Sequence, residues 1–185
     1  AFQNTKAGLF GVAGSYSFFP AKTLGCFGDG GAIATNSDEA VDLILKLRNH
    51  GRDPSGYVSE FGLNGRLDNL QAAILKHKLK SYDFYINKRR AIASLYHSKL
   101  NHIEDILLPP PPTNGGEYFD IFQNYEIQVK ERDELREYLL KNGIGTIIQW
   151  GGWMIHQFKD LNLKSDHNYA EKMSKRMLLL PINHL

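Results

Sequence analysis

The chain holds a single cysteine, Cys26, in 185 residues. No intrachain disulfide framework can form from it, which excludes the small disulfide-stapled secreted folds. Charge of one sign is not in excess either. Lys and Arg number 22 against 20 Asp and Glu, a formal balance of +2. The strong basic face that tracks a nucleic-acid backbone is therefore not expected. The densest basic run, Lys88-Arg89-Arg90, reads as the solvated side of a helix. No apolar run is long enough to span a bilayer, and the first residues lack a charged-then-apolar signal pattern. Internal repeats and low-complexity tracts are absent. Together these features set the expectation of a soluble, cytoplasmic protein.

Two nucleotide-binding signatures and a metal site are also missing. Gly28-Asp29-Gly30 would need a further glycine at position 33, where Ile33 stands, so the dinucleotide fingerprint fails. The phosphate-loop pattern does not occur. The histidines, among them His97 and His102, show no ligand spacing with Cys, Asp or Glu.

What is present is a lysine in an unusual setting. Lys22 lies in Ser17-Phe18-Phe19-Pro20-Ala21-Lys22-Thr23-Leu24-Gly25, followed by Gly28-Asp29-Gly30-Gly31-Ala32-Ile33-Ala34-Thr35. A lysine fenced by Phe, Pro, Leu and Gly is expected to be partly buried, which penalises the ammonium and lowers its pKa. A lysine so tuned can attack an aldehyde and form a Schiff base. A snorkelling lysine at a core edge is the competing reading. The surrounding glycines serve turn geometry and close backbone approach.

Periodicity predicts a strand over 13–19, a turn over 20–31, and a second strand over 31–35. Ser37 is a predicted N-cap for a helix reaching about Asn49. Residues 51–65 form a predicted loop, and helices follow from Leu67 and around Ile86 to Leu100. Pro109 to Pro112 with Gly115-Gly116 mark an extended linker. Beyond it the pattern predicts a strand over 125–129, a helix over 131–142 closed by Gly143, a strand over 146–150, and a helix over 169–180.

The lysine segment resembles the signature of the pyridoxal-phosphate (PLP) sugar aminotransferases of the DegT/DnrJ/EryC1/StrS family. Arg48-Asn49-His50-Gly51 and Gly62-Leu63-Asn64-Gly65-Arg66-Leu67-Asp68-Asn69-Leu70-Gln71-Ala72-Ala73-Ile74-Leu75 resemble two later family motifs, in the same order. The resemblance implies an α/β protein, part of an aspartate-aminotransferase-like (fold type I) PLP enzyme. Residues 1–80 would be the C-terminal part of the large PLP-binding domain. Residues 81–185 would be a connecting helix and a small α+β domain, incomplete at its C-terminus. Family members are about twice this length, so the chain is expected to be a fragment matching their second half. The missing first half would supply an acidic partner for the pyridine nitrogen, a stacking aromatic and part of the phosphate cup.

The family implies residue roles as well. Lys22 would bind PLP as a Schiff base and, once displaced by an amino donor, act as the general base. Ser17 would hydrogen-bond the cofactor phosphate, or else satisfy strand backbone. Asn64 would reach the phosphate of a partner subunit's PLP, or else serve as a turn residue or helix cap. The family often has Tyr where this chain has Gly65. Arg66 reads as a structural ion pair. His50 and His156 would contact substrate, with a helix C-terminal role as the alternative for His50. Trp150 and Trp153 would line a sugar pocket or anchor the core.

The function implied is transfer of an amino group, with glutamate as the donor, onto a keto sugar linked to a nucleotide, by a homodimer with shared active sites. Two alternatives stand beside it. One is a PLP-type sugar dehydratase, although in that branch a histidine replaces the lysine. The other is an inactive structural or dimerising fragment.

Overall fold

In the computed structural model, residues 1–113, 115–163 and 167–183 are described. The chain divides into two compact units, Ala1–Tyr85 with Thr113–Phe119, and Ile86–Pro112 with Asp120–Leu185.

The first unit is built on an antiparallel pair, β1 (Ala13–Ser17) and β2 (Gly31–Thr35), with Ser17 opposite Gly31. Helix α1 (Asp38–Leu47) follows at once. Ser37 caps it as expected, its hydroxyl accepting from the Ala40 amide at 3.2 Å. Helix α2 (Asn69–Leu79) starts after Asp68 and buries Leu75, while Leu70 and Leu79 stay exposed. The helix expected from Leu67 is thus present, with Leu67 just before it and Ile74 within it half-buried. Residues 117–119 return to pair with the chain's first residues, the Gln3 amide donating to the Glu117 carbonyl at 2.7 Å.

The second unit takes most of helix α3 (Tyr82–Leu100) and a three-stranded antiparallel sheet. Its strands are β3 (Ile106–Leu107), β4 (Tyr125–Val129) and β5 (Met177–Leu180), with β4 central. Helix α4 (Arg132–Lys141) ends at Gly143, whose φ of +79° is the left-handed C-terminal stop predicted for it. Strand β4 alternates cleanly: Tyr125, Ile127 and Val129 are buried, and Glu126 and Gln128 are only partly covered. Those three join Ala93, Phe122, Leu178 and Ile182 in one core, with Leu135 and Leu139 of α4 against it.

Three expectations fail here for identifiable reasons. Residues 177–180 form β5, and only Asn168–Ser174 is helical, as α5. Leu178 and Leu179 are both buried. An apolar run covered on both faces lacks the alternation that separates strand from helix. Residues 146–150 form no strand beyond one bridge, Ile147 with Leu179, before the chain tightens into the 3-10 turn Gln149–Gly152. Trp150, Gly151 and Gly152 all have positive φ there, which ends extended pairing. Finally, Arg89 and Arg90 are buried, each 8% exposed. Arg89 Nη1 donates to the Ile182 carbonyl at 2.9 Å and Arg90 Nη1 to the Asp120 carbonyl at 2.6 Å. Their charges are used on main chain inside the unit.

Tyr96 stacks on Tyr125 at 4.9 Å between ring centroids, and its hydroxyl donates to the Pro181 carbonyl. The Tyr125 hydroxyl is buried with no partner among the described residues. Ile127→Ala should cost about 2–5 kcal/mol of stability. Tyr125→Phe should stay within about 1 kcal/mol of the parent, since the hydroxyl it removes is unpaired. Burial, with Tyr96 adding to it, raises the Tyr125 phenol above its ordinary value. The folded chain therefore favours the neutral phenol. That stabilisation is complete below the unfolded value of about 10 and drains as pH rises through the folded one. Urea midpoints measured across alkaline pH check all three statements, with Tyr125→Phe flattening the alkaline fall.

Candidate functional site

Lys22 sits in the connection between β1 and β2, and that connection is tied down along its length. The Phe18 amide donates to the Gly30 carbonyl and the Cys26 amide to the Phe18 carbonyl, both at 2.8 Å. Within this closed base the Lys22 amide donates to the Phe19 carbonyl at 2.8 Å, making a tight turn. Gly25 is what lets the turn fold onto itself. A Cβ there would lie 2.7 Å from the carbonyl oxygens of both Phe19 and Pro20.

The side chain of Lys22 is exposed, and its amine has no partner among the described residues. The burial expected from the neighbouring Phe, Pro and Leu is therefore not provided by them. Gly25 and Cys26 are buried and Phe18 and Leu24 are half-buried, whereas the tip of the turn faces outward. Phe19 and Pro20 are themselves exposed, so of the apolar neighbours only Phe18 and Leu24 are partly covered.

Helix α2 supplies the outer support, which the sequence reading missed. Gln71 Oε1 accepts from the Phe27 amide at 2.9 Å. Lys78 Nζ donates to the Gly25 carbonyl at 2.6 Å and lies 5.1 Å from the centroid of the Phe27 ring. Positions 71, 75 and 78 share one helix face. That spacing was the available signal, hidden because two of the three residues are polar.

Ser17 ends β1. Its Oγ accepts from the Phe19 amide at 3.3 Å, so the hydroxyl proton remains for an outside acceptor. Asn64 is brought beside the other family-like motif. Asn49 and Asn64 form an antiparallel bridge, and the Leu63 amide donates to the Leu47 carbonyl at 2.8 Å. The His50 amide donates to the Leu63 carbonyl at 2.9 Å and the Gly65 amide to the Arg48 carbonyl at 2.8 Å. Residues 48–51 and 62–65 are thus one ribbon at the end of α1.

The helix-cap alternative for Asn64 falls away, because Asp68 occupies the N-cap of α2. Asn64 Oδ1 instead accepts from Arg66 Nε at 2.9 Å. Arg66 accordingly bonds an amide where an ion pair was expected. Asn64, like Ser17, uses its oxygen internally and keeps its donor protons.

The intervening loop is shaped by Asp53, whose Oδ1 accepts from the Ser55 hydroxyl at 2.6 Å and from the Ser55 and Tyr57 amides. The Ser55 hydroxyl leads these contacts in holding the Asp53 carboxyl below its ordinary range. His50 is exposed with φ of +61°, a left-handed conformation uncommon for a non-glycine residue.

His156 belongs to the second unit. Its Nε2 lies 2.9 Å from Glu171 Oε1, its side chain is 8% exposed, and its ring is 4.9 Å from that of His167. Trp150 and Trp153 are 82% and 58% exposed, so neither anchors the core.

Comparison with known proteins extends these observations. A model of the DegT/DnrJ/EryC1/StrS aminotransferase family matches residues 1–185. A "pleiotropic regulatory protein" of Geobacillus stearothermophilus is 37% identical over 95% of this chain and 48% of its own length. A dTDP-3-amino-3,4,6-trideoxy-alpha-D-glucose transaminase of Micromonospora megalomicea subsp. nigra is 40% identical over 70% of this chain and 35% of its own. The crystal structure of a DegT DnrJ EryC1 StrS aminotransferase from Brucella abortus superposes with a TM-score of 0.89 at 32% identity. It covers 98% of this chain and 48% of that one. The chain spans about half the length, or less, of the curated relatives it matches. The expected fold, part of an aspartate-aminotransferase-like architecture, is borne out.

Gly25→Ala should cost about 1–3 kcal/mol through overpacking against main chain and open residues 19–25 to limited proteolysis. A thermal melt paired with a protease time course measures both.

Proposed function

Because the chain belongs to the DegT/DnrJ/EryC1/StrS aminotransferase family, we propose that the protein is a PLP-dependent aminotransferase. It moves an amino group, with glutamate as the donor, onto a keto sugar carried on a nucleotide. The observation that carries this reading is the Lys22 turn: a backbone fixed on both sides, with an exposed amine left uncommitted. The donor set suits the cofactor chemically. Ser17 and Asn64 each retain donor protons for a phosphate, and an asparagine amide adds no charge of its own.

PLP, when bound, supplies an electron sink that the side chains lack. Lys22 Nζ holds the cofactor at rest and, once released, carries the proton as general base. Ser17 binds the phosphate of the same subunit's cofactor, and Asn64 that of a partner's, within a cytoplasmic homodimer. The dTDP-sugar transaminase among the relatives supports a nucleotide-linked substrate. Residues 1–80 are assigned to the large domain and residues 81–185 to the connecting helix and small domain, apart from Thr113–Phe119, which fold with the first unit. His50 is assigned a substrate contact through its exposed ring. His156 is assigned one through the small part of its ring left uncovered beside Glu171.

Lys22→Ala in the full-length protein should lower 2-oxoglutarate production from glutamate and a nucleotide-linked keto sugar by about a thousandfold or more, with the melting temperature preserved. Continued transamination by that variant would end the assignment. Asn64→Ala should weaken PLP binding by roughly ten- to a hundredfold while leaving turnover at saturating PLP near the parent rate. An absorbance titration with a parallel rate measurement separates the two effects.

A further inference from the structure

Two side chains of α2 have no part in the proposed chemistry and yet direct their polar atoms at the Lys22 turn. Lys78 leaves a helix end where its ammonium could sit in water. It is half-buried instead, with Nζ on the Gly25 carbonyl and near the face of the Phe27 ring. Gln71, two helical turns earlier on the same face, holds the Phe27 amide. A Cβ on Gly28 would lie 3.2 Å from Gln71 Nε2, so this amide side chain runs close along the main chain after the turn.

We propose that Lys78 and Gln71 are positioning residues for Lys22, fixing the turn so that its amine is presented in one place. The inference rests on the reading of Lys22 as the cofactor lysine.

The physical argument is one of freedom. A lysine side chain is long and flexible, and an exposed one samples many rotamers. Presenting its amine in a fixed place requires at least that its Cα be fixed. The internal bonds of residues 18–30 close the base of the turn but leave the Gly25 carbonyl for another donor. Lys78 fills that need with a charge-assisted bond, stronger than a neutral donor would give. Gly25 and Cys26 are buried, so a Gly25 carbonyl deprived of its donor has little water to replace it. Released, the segment between Phe19 and Gly25 has a weaker reason to hold its tight form.

The test uses the full-length protein with Lys78→Met, Lys78→Arg and Gln71→Met. Amide hydrogen exchange over residues 18–27 is measured without cofactor. PLP titration then gives its dissociation constant and the pH profile of the lysine-bound cofactor's visible band. Lys78→Met should speed exchange in that segment, weaken PLP about tenfold, and shift the pH profile, with the rest of the chain exchanging as in the parent. Lys78→Arg, which keeps a charged donor, should restore most of each. Parent-like exchange, affinity and profile in Lys78→Met would overturn the inference. Should Lys78→Met fail to fold, Gln71→Met is judged by the same criteria and decides. Faster exchange in Lys78→Met, together with a parent protein whose Lys22 never carries PLP, would overturn the reading of Lys22 and leave the clamp standing.

Discussion

The closed turn between β1 and β2 is the constraint on which the first unit depends. Its base is tied by hydrogen bonds from Phe18 to Gly30 and from Cys26 to Phe18. Gly25 permits a fold that any side chain would block. Helix α2 then grips the outer edge through Gln71 and Lys78. Backbone order is concentrated around one residue, Lys22, whose own side chain remains outside that order. A scaffold that fixes a Cα and leaves an amine exposed suits a group that must bond a cofactor and later let it go.

The same economy appears at Ser17 and Asn64. Each accepts a hydrogen bond from its own chain and so is oriented without losing its donors. Asn64 owes its position to the ribbon formed by residues 48–51 and 62–65, which are distant enough in sequence to read as separate motifs. The Asp53 turn, ionised and wrapped by Ser55 and Tyr57, bends the chain between them.

Much of this was legible in the residues, and what was not has physical causes. Ser37, Gly143 and the alternating Tyr125-Glu126-Ile127-Gln128-Val129 each carry a local signal that the fold obeys. The three motifs around Lys22, His50 and Asn64 gave the family. Burial was harder to read. Lys22 was expected to be covered because its neighbours are apolar, yet Phe19 and Pro20 are exposed with it and only Phe18 and Leu24 are partly covered. Arg89 and Arg90 were expected to be wet, yet they are buried on main-chain carbonyls. For the arginines the deciding partners, the carbonyls of Ile182 and Asp120, lie elsewhere in the chain, where no local window reaches. Leu178 and Leu179, buried on both sides of β5, illustrate the same limit for strand against helix.

The central claim is that Lys22, and no other lysine of the chain, is the residue that bonds the cofactor. The most direct measurement is peptide mass mapping of the full-length protein after incubation with PLP and reduction with borohydride. The account predicts a single phosphopyridoxyl group on Lys22, with Lys76, Lys78 and Lys80 of the neighbouring helix end unmodified. A stoichiometric adduct on any other lysine, or none under conditions where PLP is bound, would contradict it.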